Sequence, residues 1–150
     1  MSNEEVWFND YKSKQGNIGL GQAIAYYMSK GYMVALPVND TQPYDLVVDK
    51  FDGKGLQRVS VKTTRYQTDN LAKSFVVKIS SSSGMKRSYN PFDKQSCDLM
   101  FIYTISQEIW EIPSLDINSG TMITLNENLL KYKIKWLVLY FQIWGISDNG

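Results

Sequence analysis

Asp45, Ser60 and Lys62 have the types and the spacing to carry out chemistry together. Asp45 precedes one apolar run, and Ser60 and Lys62 stand two residues apart in the next. A carboxylate at the edge of a strand can hold Mg²⁺, which acidifies a bound water, and a lysine beside it can neutralise charge that develops on a phosphate. The pattern therefore predicts phosphodiester hydrolysis. An ordinary surface hairpin with a solvated lysine fits the same residues, and these residues alone leave that alternative open.

A β-hairpin over residues 43–62 is predicted to position these side chains. Its parts, in chain order, are a strand at 46–48, a turn containing Asp52, Gly53 and Gly55, and a strand at 58–63. Because successive side chains of a strand point to opposite faces, Ser60 and Lys62 share one face while Val59 and Val61 share the other.

A helix over residues 18–30 precedes the hairpin, with Asn17 as its N-cap and Gly31 at its end. Leu20 lies on the apolar stripe of this helix, which explains it as a core residue. Gly19 and Gly21 each weaken the helix by about 1 kcal/mol relative to alanine, so we expect them to let the helix approach the sheet or the DNA backbone closely.

Periodicity and turn residues place the other elements. They are a short helix at 6–11, strands at 32–38, 74–79, 99–105 and 109–112, a flexible tip at 80–84, a helix at 127–135 and an apolar run at 136–144. The strand at 99–105 is continuously apolar and is predicted to be central and buried. Glu108 and Glu111 are interpreted as surface charge rather than as a catalytic pair.

The composition indicates one globular domain of 150 residues with a net charge of +1. The chain contains no histidine, which excludes Cys–His catalysis and the usual zinc ligand. The single cysteine, Cys97, excludes an internal disulfide, suits a reducing cytoplasm and is expected to be a buried apolar residue. No segment has the length of a membrane span, so no membrane contact is predicted.

The positive charge is concentrated in the middle of the chain. Residues 1–49 carry three lysines against six acids (−3), residues 50–90 nine cations against two acids (+7), and residues 91–150 four lysines against seven acids (−3). A basic segment around the hairpin favours binding of double-stranded DNA, with 74–87 as a β-ribbon in the major groove; a solvated surface without a partner is the alternative. The candidate DNA contacts are Lys12, Lys14, Arg65, Tyr66, Lys73, Lys78, Ser81, Ser82, Lys86 and Arg87.

Several motifs together resemble the PD-(D/E)XK nuclease superfamily. They are GNIGLGQA at 16–23, YDL at 44–46, VSVKTT at 59–64, CDL at 97–99 and WEIP at 110–113. The chain is most similar to the small endonucleases of that superfamily, among them the homing endonucleases encoded in cyanobacterial group I introns, and to its Holliday-junction resolvases. The resemblance covers residues 14–113. It implies an α/β fold with a restriction-endonuclease-like core, in which strands at 32–38, 44–49, 58–63, 74–79 and 99–105 form a mixed β-sheet flanked by helices.

The resemblance also implies roles for particular residues. Asp45 and the carbonyl of Val61 would bind Mg²⁺ (or Mn²⁺), Lys62 would assist the attacking water, and Ser60 would replace the usual acid or amide. Leu20 stands where the family usually carries a glutamate. The residues that could supply the missing acid are Glu5, Asp10 and Asp40.

The expected activity is site-specific cleavage of double-stranded DNA by a homing-type, divalent-metal-dependent endonuclease. The alternatives are a Holliday-junction resolvase and a catalytically impaired DNA-binding module. Residues 1–150 are expected to form one endonuclease domain, with a nuclease core at 14–113 and a helical and apolar extension at 124–150. Cutting both strands requires two sites, so a homo-oligomer, either a dimer or a tetramer, is predicted.

Overall fold

A single long helix opens the described part of the protein. The computed structural model describes the backbone of residues 3–83 and 88–134, and the side chains of 14–81 and 90–134. Helix α1 spans Asn3–Ser29 without interruption, so the prediction of two helices with an N-cap at Asn17 is wrong. Gly16 lowers helix stability but keeps a helical backbone, whereas Gly31, at φ 75°, has the left-handed conformation that ends a helix.

The strands form one large sheet and two small ones. The six-stranded sheet contains β1 (Met33–Ala35), β2 (Leu46–Asp49), β3 (Leu56–Thr64), β7 (Leu99–Thr104), β8 (Ile109–Pro113) and β10 (Lys133–Ile134), in the order β1-β2-β3-β7-β8-β10. The two-stranded sheets pair β4 (Val76–Lys78) with β9 (Met122–Thr124), and β5 (Ser81–Ser83) with β6 (Ser88–Asn90). Strands β3 and β7 are parallel and the other pairs of the large sheet are antiparallel. The predicted mixed sheet is confirmed.

Two sequence-based predictions, one of a strand and one of a helix, need correction. The strand predicted at 74–79 pairs with β9 outside the large sheet, and β8 and β10 take places in that sheet instead. The helix predicted at 127–135 is wrong: Glu127–Tyr132 is a 3-10 helix and is followed directly by β10. Its Asn126 side chain caps the backbone N–H of Asn128, a local hydrogen bond that fixes a short turn. The apolar run at 136–144 lies outside the described residues.

The large sheet buries apolar side chains on both faces. Between the sheet and α1 lie residues such as Tyr27, Val59 and Phe101. On the other face, β7 contributes Met100 and Ile102, which pack with the β4–β9 pair and with Trp110 and Ile112 of β8. Strand β7 is therefore central and buried, as predicted. Within the described residues no helix is both long and apolar enough to cross a membrane.

Strand β3 is longer than its hairpin partner β2. Their register runs from Asp49 opposite Leu56 to Leu46 opposite Val59, so residues 60–64 of β3 extend past the start of β2. On its other edge β3 stays paired with β7 through Thr64. Gly53 and Gly55 adopt φ 85° and 72° in the connecting turn, which confirms the predicted turn. At this end of β3 one edge is therefore not paired with β2, while the other edge is fully paired with β7.

Helix α1 approaches β3 closely at Gly19. A Cβ atom at this position would lie 2.1 Å from Oγ1 of Thr63. A larger residue would require the helix, the strand or the Thr63 side chain to move. The sequence-based expectation of a close approach to the sheet is confirmed for Gly19 but not for Gly21, where an added Cβ would meet nothing within 4 Å.

Candidate active site

Asp45 lies where β2 begins, beside the extended end of β3. Its backbone N–H donates to the carbonyl oxygen of Val59 at 2.9 Å, which holds the residue in line with β3. Its Oδ2 accepts a hydrogen bond from the N–H of Val61 at 2.6 Å, and the residue is exposed. One carboxylate oxygen is therefore oriented by β3 while the residue stays accessible to solvent.

Ser60 and Lys62 project from the face of β3 that points away from α1. Val59 and Val61 pack on the α1 side, as the alternation of a strand requires. Ser60 and Lys62 line a cleft of about 700 Å³ together with Asp45. Ser60 is only 5% exposed, whereas Lys62 is half-buried. The structure thus brings the three predicted catalytic residues to one cleft.

Lys62 keeps its charge available to a ligand. Among the described residues it forms no ion pair, in contrast to Lys50, Arg58 and Lys133. An unpaired ammonium in a half-buried cleft attracts an anion more strongly than one in bulk water, because the local dielectric constant is lower. The position suits a phosphate oxygen.

The backbone of Val61 offers a second oxygen next to Asp45. The N–H and C=O of one residue point to the same side of a strand, so the Val61 carbonyl lies on the edge where its N–H meets Asp45. In the described part of the chain, no three acidic, histidine or cysteine side chains converge as a metal cage. Mg²⁺ commonly uses one or two carboxylates and fills its remaining positions with water and substrate phosphate. The oxygen donors at Asp45 and Val61 fit an ion held in that way.

The cleft is also lined by residues that the sequence analysis did not identify. They are Gln42, Asn90, Asp93, Gln95 and Ser96, together with Pro91 and Phe92. Most belong to the loop between β6 and β7, which has no hydrophobic period and no motif of its own. The only available signal was the adjacency of this loop to the CDL motif at 97–99.

An ion pair fixes this loop to β3. Arg58 of β3 donates from Nε and Nη2 to the two carboxylate oxygens of Asp98, at 3.1 and 3.0 Å, and from Nη1 to the carbonyl of Gln95 at 2.9 Å. The backbone N–H of Arg58 also donates to Asp98 at 2.7 Å. The hydrogen bonds from Arg58 lower the pKa of the Asp98 carboxyl, and they raise the pKa of Arg58. Both groups therefore stay charged at neutral pH.

Cys97 lies beneath the site and is 1% exposed. Burial raises the pKa of its thiol, which keeps it protonated at neutral pH. The prediction of a buried, apolar cysteine is confirmed.

The candidate DNA contacts are not all gathered at the cleft. Ser81 lines it, whereas Lys14, Arg65, Tyr66, Lys73 and Lys78 are exposed elsewhere on the described surface. Arg65 stacks over the ring of Tyr66, 5.6 Å from its centroid. The side chains of Lys12 and Ser82, and the whole of Lys86 and Arg87, lie outside what the structure describes. The ribbon predicted at 74–87 is wrong in its strands: β4, from the predicted strand at 74–79, pairs with β9. A hairpin is instead formed by β5 and β6, so Ser81–Ser83 belongs to a strand and not to the tip.

Leu20 packs on the other side of the sheet from Ser60 and Lys62. It lies against the apolar cluster formed by α1 with Val59, Leu99 and Phe101. Of the possible replacement acids, Asp40 is exposed in a loop and does not line the cleft, and the side chains of Glu5 and Asp10 are not described.

Glu111 was expected to be surface charge, and that expectation is wrong. Its side chain is 17% exposed and accepts hydrogen bonds from the hydroxyl of Tyr27, at 2.6 Å, and from the ammonium of Lys50, at 2.5 Å. Burial, with the negative charge of Glu111 as the next cause, raises the pKa of Tyr27 well above its ordinary value. Glu111 thus joins α1, β2 and β8 on the α1 side of the sheet, away from the cleft.

Two comparisons with known proteins agree with this geometry. A family model described as PD-(D/E)XK endonuclease matches residues 11–145. Among solved structures, the chain is similar to a bacterial homing endonuclease, I-Ssp6803I, with a TM-score of 0.67 and 21% sequence identity, over 91% of this chain and 98% of the other. No curated protein matches the chain. The structural likeness concerns the fold alone. The family model spans most of the sequence, including Asp45 and the strand with Lys62, and so the chain belongs to the PD-(D/E)XK endonuclease family.

Proposed function

We propose that this protein is a divalent-metal-dependent endonuclease that cuts double-stranded DNA at specific sites, in the manner of a homing endonuclease. The observation that carries the proposal is the meeting of Asp45, Ser60 and Lys62 in one cleft, at the end of β3 that extends past β2. Membership of the PD-(D/E)XK endonuclease family supports nuclease chemistry. The likeness to a homing endonuclease fold is the reason for preferring this type of activity.

Each residue of the cleft has a chemical role in this proposal. Asp45 and the Val61 carbonyl would hold Mg²⁺ or Mn²⁺, which when bound supplies an acidified water and positive charge at the scissile phosphate. The Lys62 ammonium binds a phosphate oxygen and assists the attacking water. The buried Ser60 hydroxyl occupies the position of the usual acid or amide. The N–H of Val61 orients the Asp45 carboxylate through its 2.6 Å hydrogen bond.

Removal of either charged group tests the site. Asp45→Ala and Lys62→Ala should each slow cleavage of a duplex that carries the target by roughly a hundredfold or more, because each loses a charge partner of the transition state. DNA binding in EDTA should persist, since neither residue belongs to the apolar core. Asp69→Ala and Lys54→Ala are matched controls, because both residues are exposed and lie outside the cleft. Normal cleavage by Asp45→Ala would rule out the site.

A specific observation favours a second candidate, a DNA-binding module with impaired catalysis. Among the described residues that line the cleft the acids are Asp45 and Asp93, and Ser60 supplies a hydroxyl where the family usually has an acid or amide. Supercoiled plasmid with and without a target insert, incubated with Mg²⁺ or EDTA, distinguishes the candidates. Discrete products indicate the homing type, cutting of four-way junctions alone indicates a resolvase, and retardation without cutting indicates the impaired module.

The cellular setting and the assembly belong to the same proposal. We place the protein in a reducing cytoplasm, supported by its single cysteine, which is free and buried. We place it in a homo-oligomer, because one metal site cuts one strand and a duplex has two strands.

A further inference from the structure

Part of the cleft lining, called the carboxamide wall below, includes Gln42, Asn90, Asp93 and Gln95. Gln42, Asn90 and Gln95 all line the cleft and are exposed. A carboxamide presents one donor and one acceptor side by side, which matches the N6 and N7 edge of adenine in the major groove. The inference drawn from this wall rests on the proposed function and extends it to the choice of DNA sequence.

Charge on this wall disfavours a purely phosphate-binding role. The cleft contains two cationic side chains among its described lining residues, Arg58 and Lys62. The guanidinium of Arg58 is already engaged by the Asp98 carboxylate and by the Gln95 carbonyl. Asp93, on the same wall, adds a negative charge that repels phosphate. Lys62 therefore remains available to bind phosphate, whereas the carboxamide wall offers hydrogen-bonding edges.

Both the N–H and the carbonyl of the Gln95 backbone form hydrogen bonds. Its carbonyl accepts from Arg58 at 2.9 Å, and its N–H donates to Oδ1 of Asp93 at 2.9 Å. Arg58 belongs to the same strand as Ser60 and Lys62, so the position of Gln95 is tied to the catalytic groups. A loop whose backbone is already anchored loses little backbone freedom on binding, which favours specific contacts by its side chains.

We propose that Gln95, assisted by Asn90, is a specificity-determining residue that reads the edge of a base, preferentially adenine, next to the cleaved phosphate. Asp98 acts as a positioning residue, since it holds Arg58 and through it the Gln95 backbone.

The test compares sequence discrimination with overall affinity. Gln95→Ala and Asn90→Ala are measured against a library of duplexes randomised around the target, in EDTA so that the DNA stays intact. Gln67→Ala is the matched control, because Gln67 is an exposed carboxamide outside the cleft. The salt dependence of binding is recorded for each protein.

We expect Gln95→Ala to lose between about fivefold and a hundredfold of its discrimination at one or two base pairs, as the loss of one bidentate contact does. Affinity for unrelated DNA and the salt slope should not change, because no phosphate contact is removed. Asp98→Asn should give a smaller loss at the same base pairs.

Three outcomes would overturn the inference, and they can be distinguished. Unchanged discrimination by both alanine variants, or a loss spread equally over all sequences, would overturn it while leaving the proposed nuclease intact. Failure of the unaltered protein to bind any duplex would overturn the proposed function and this inference together.

Discussion

At the scale of single residues, a substitution of Leu20 distinguishes a role in the apolar core from a position beside a bound metal ion. It packs with the cluster of Val59, Leu99 and Phe101, on the face of the sheet opposite Lys62. We therefore expect Leu20→Glu to lower the free energy of unfolding by about 2–3 kcal/mol, since a carboxylate placed among apolar side chains lacks hydrogen-bond partners. Cleavage should fall with stability. Urea denaturation measures the effect.

The conservative control for that position is Leu20→Met, which keeps volume and polarity and should cost less than about 1.5 kcal/mol. A Leu20→Glu protein that cuts faster and needs less Mg²⁺ would contradict the packing argument. It would instead place the helix position beside the metal.

The ionisation of Asp98 makes the free energy of unfolding depend on pH in the acidic range. Hydrogen bonds from Arg58 lower its folded pKa below the ordinary value of 3.8. The unfolded chain then binds the proton more tightly, so the stabilisation is complete above about pH 4 and is lost as pH falls through the folded pKa. Because both side chains are 38% exposed, the contribution is small and weakened by salt.

Asp98→Asn removes this titration. Urea midpoints measured between about pH 5 and pH 2 should therefore fall less steeply for the variant than for the unaltered protein. Parallel curves for the two proteins would show that the Arg58–Asp98 pair does not contribute to acid stability.

At the scale of elements, the contact between α1 and β3 depends on Gly19. Gly19→Ala would place a methyl group 2.1 Å from Oγ1 of Thr63, so we expect the free energy of unfolding to fall by about 1–3 kcal/mol. In the double variant Gly19→Ala/Thr63→Ala the nearest remaining atom of residue 63 is its Cβ, at 3.4 Å, and most of the loss should be recovered.

Gly21→Ala is the matched control, because it lies in the same helix with no other atom within 4 Å of the added methyl. It should raise stability by up to about 1 kcal/mol through helix propensity. Thermal or urea unfolding checks all three proteins, and equal effects at both glycines would refute the close contact.

The elements also show which parts of the fold can be predicted from patterns in the sequence. Alternation alone placed Ser60 and Lys62 opposite Val59 and Val61, because side-chain direction in a strand is a local property. The partner of the strand at 74–79 was mispredicted, since pairing depends on residues 122–124, far away in sequence. Gln95 was not identified from the sequence, because a loop has no periodic pattern of apolar residues. Glu111 was misjudged because its partners, Tyr27 and Lys50, lie on other elements.

At the scale of the whole molecule, the chain should assemble with itself. Cutting two antiparallel strands calls for two copies of the cleft related by a two-fold axis, and a palindromic or near-palindromic target would follow from that symmetry. Sedimentation or light scattering at micromolar concentration should give at least twice the chain mass of 17.2 kDa. A monomer both with and without DNA would defeat the prediction.

The parallel pairing of β3 with β7 has a consequence during protein synthesis. Residues 65–98 separate the two strands, so β3 emerges from the ribosome with only its hairpin partner β2. Contacts between such distant segments form late, because a long loop must close first. Asp45 and Lys62 can be brought near each other by the hairpin, but the Arg58–Asp98 pair and the cleft wall require residues 90–104. A nascent chain therefore contains Asp45, Ser60 and Lys62 well before the cleft around them can be complete.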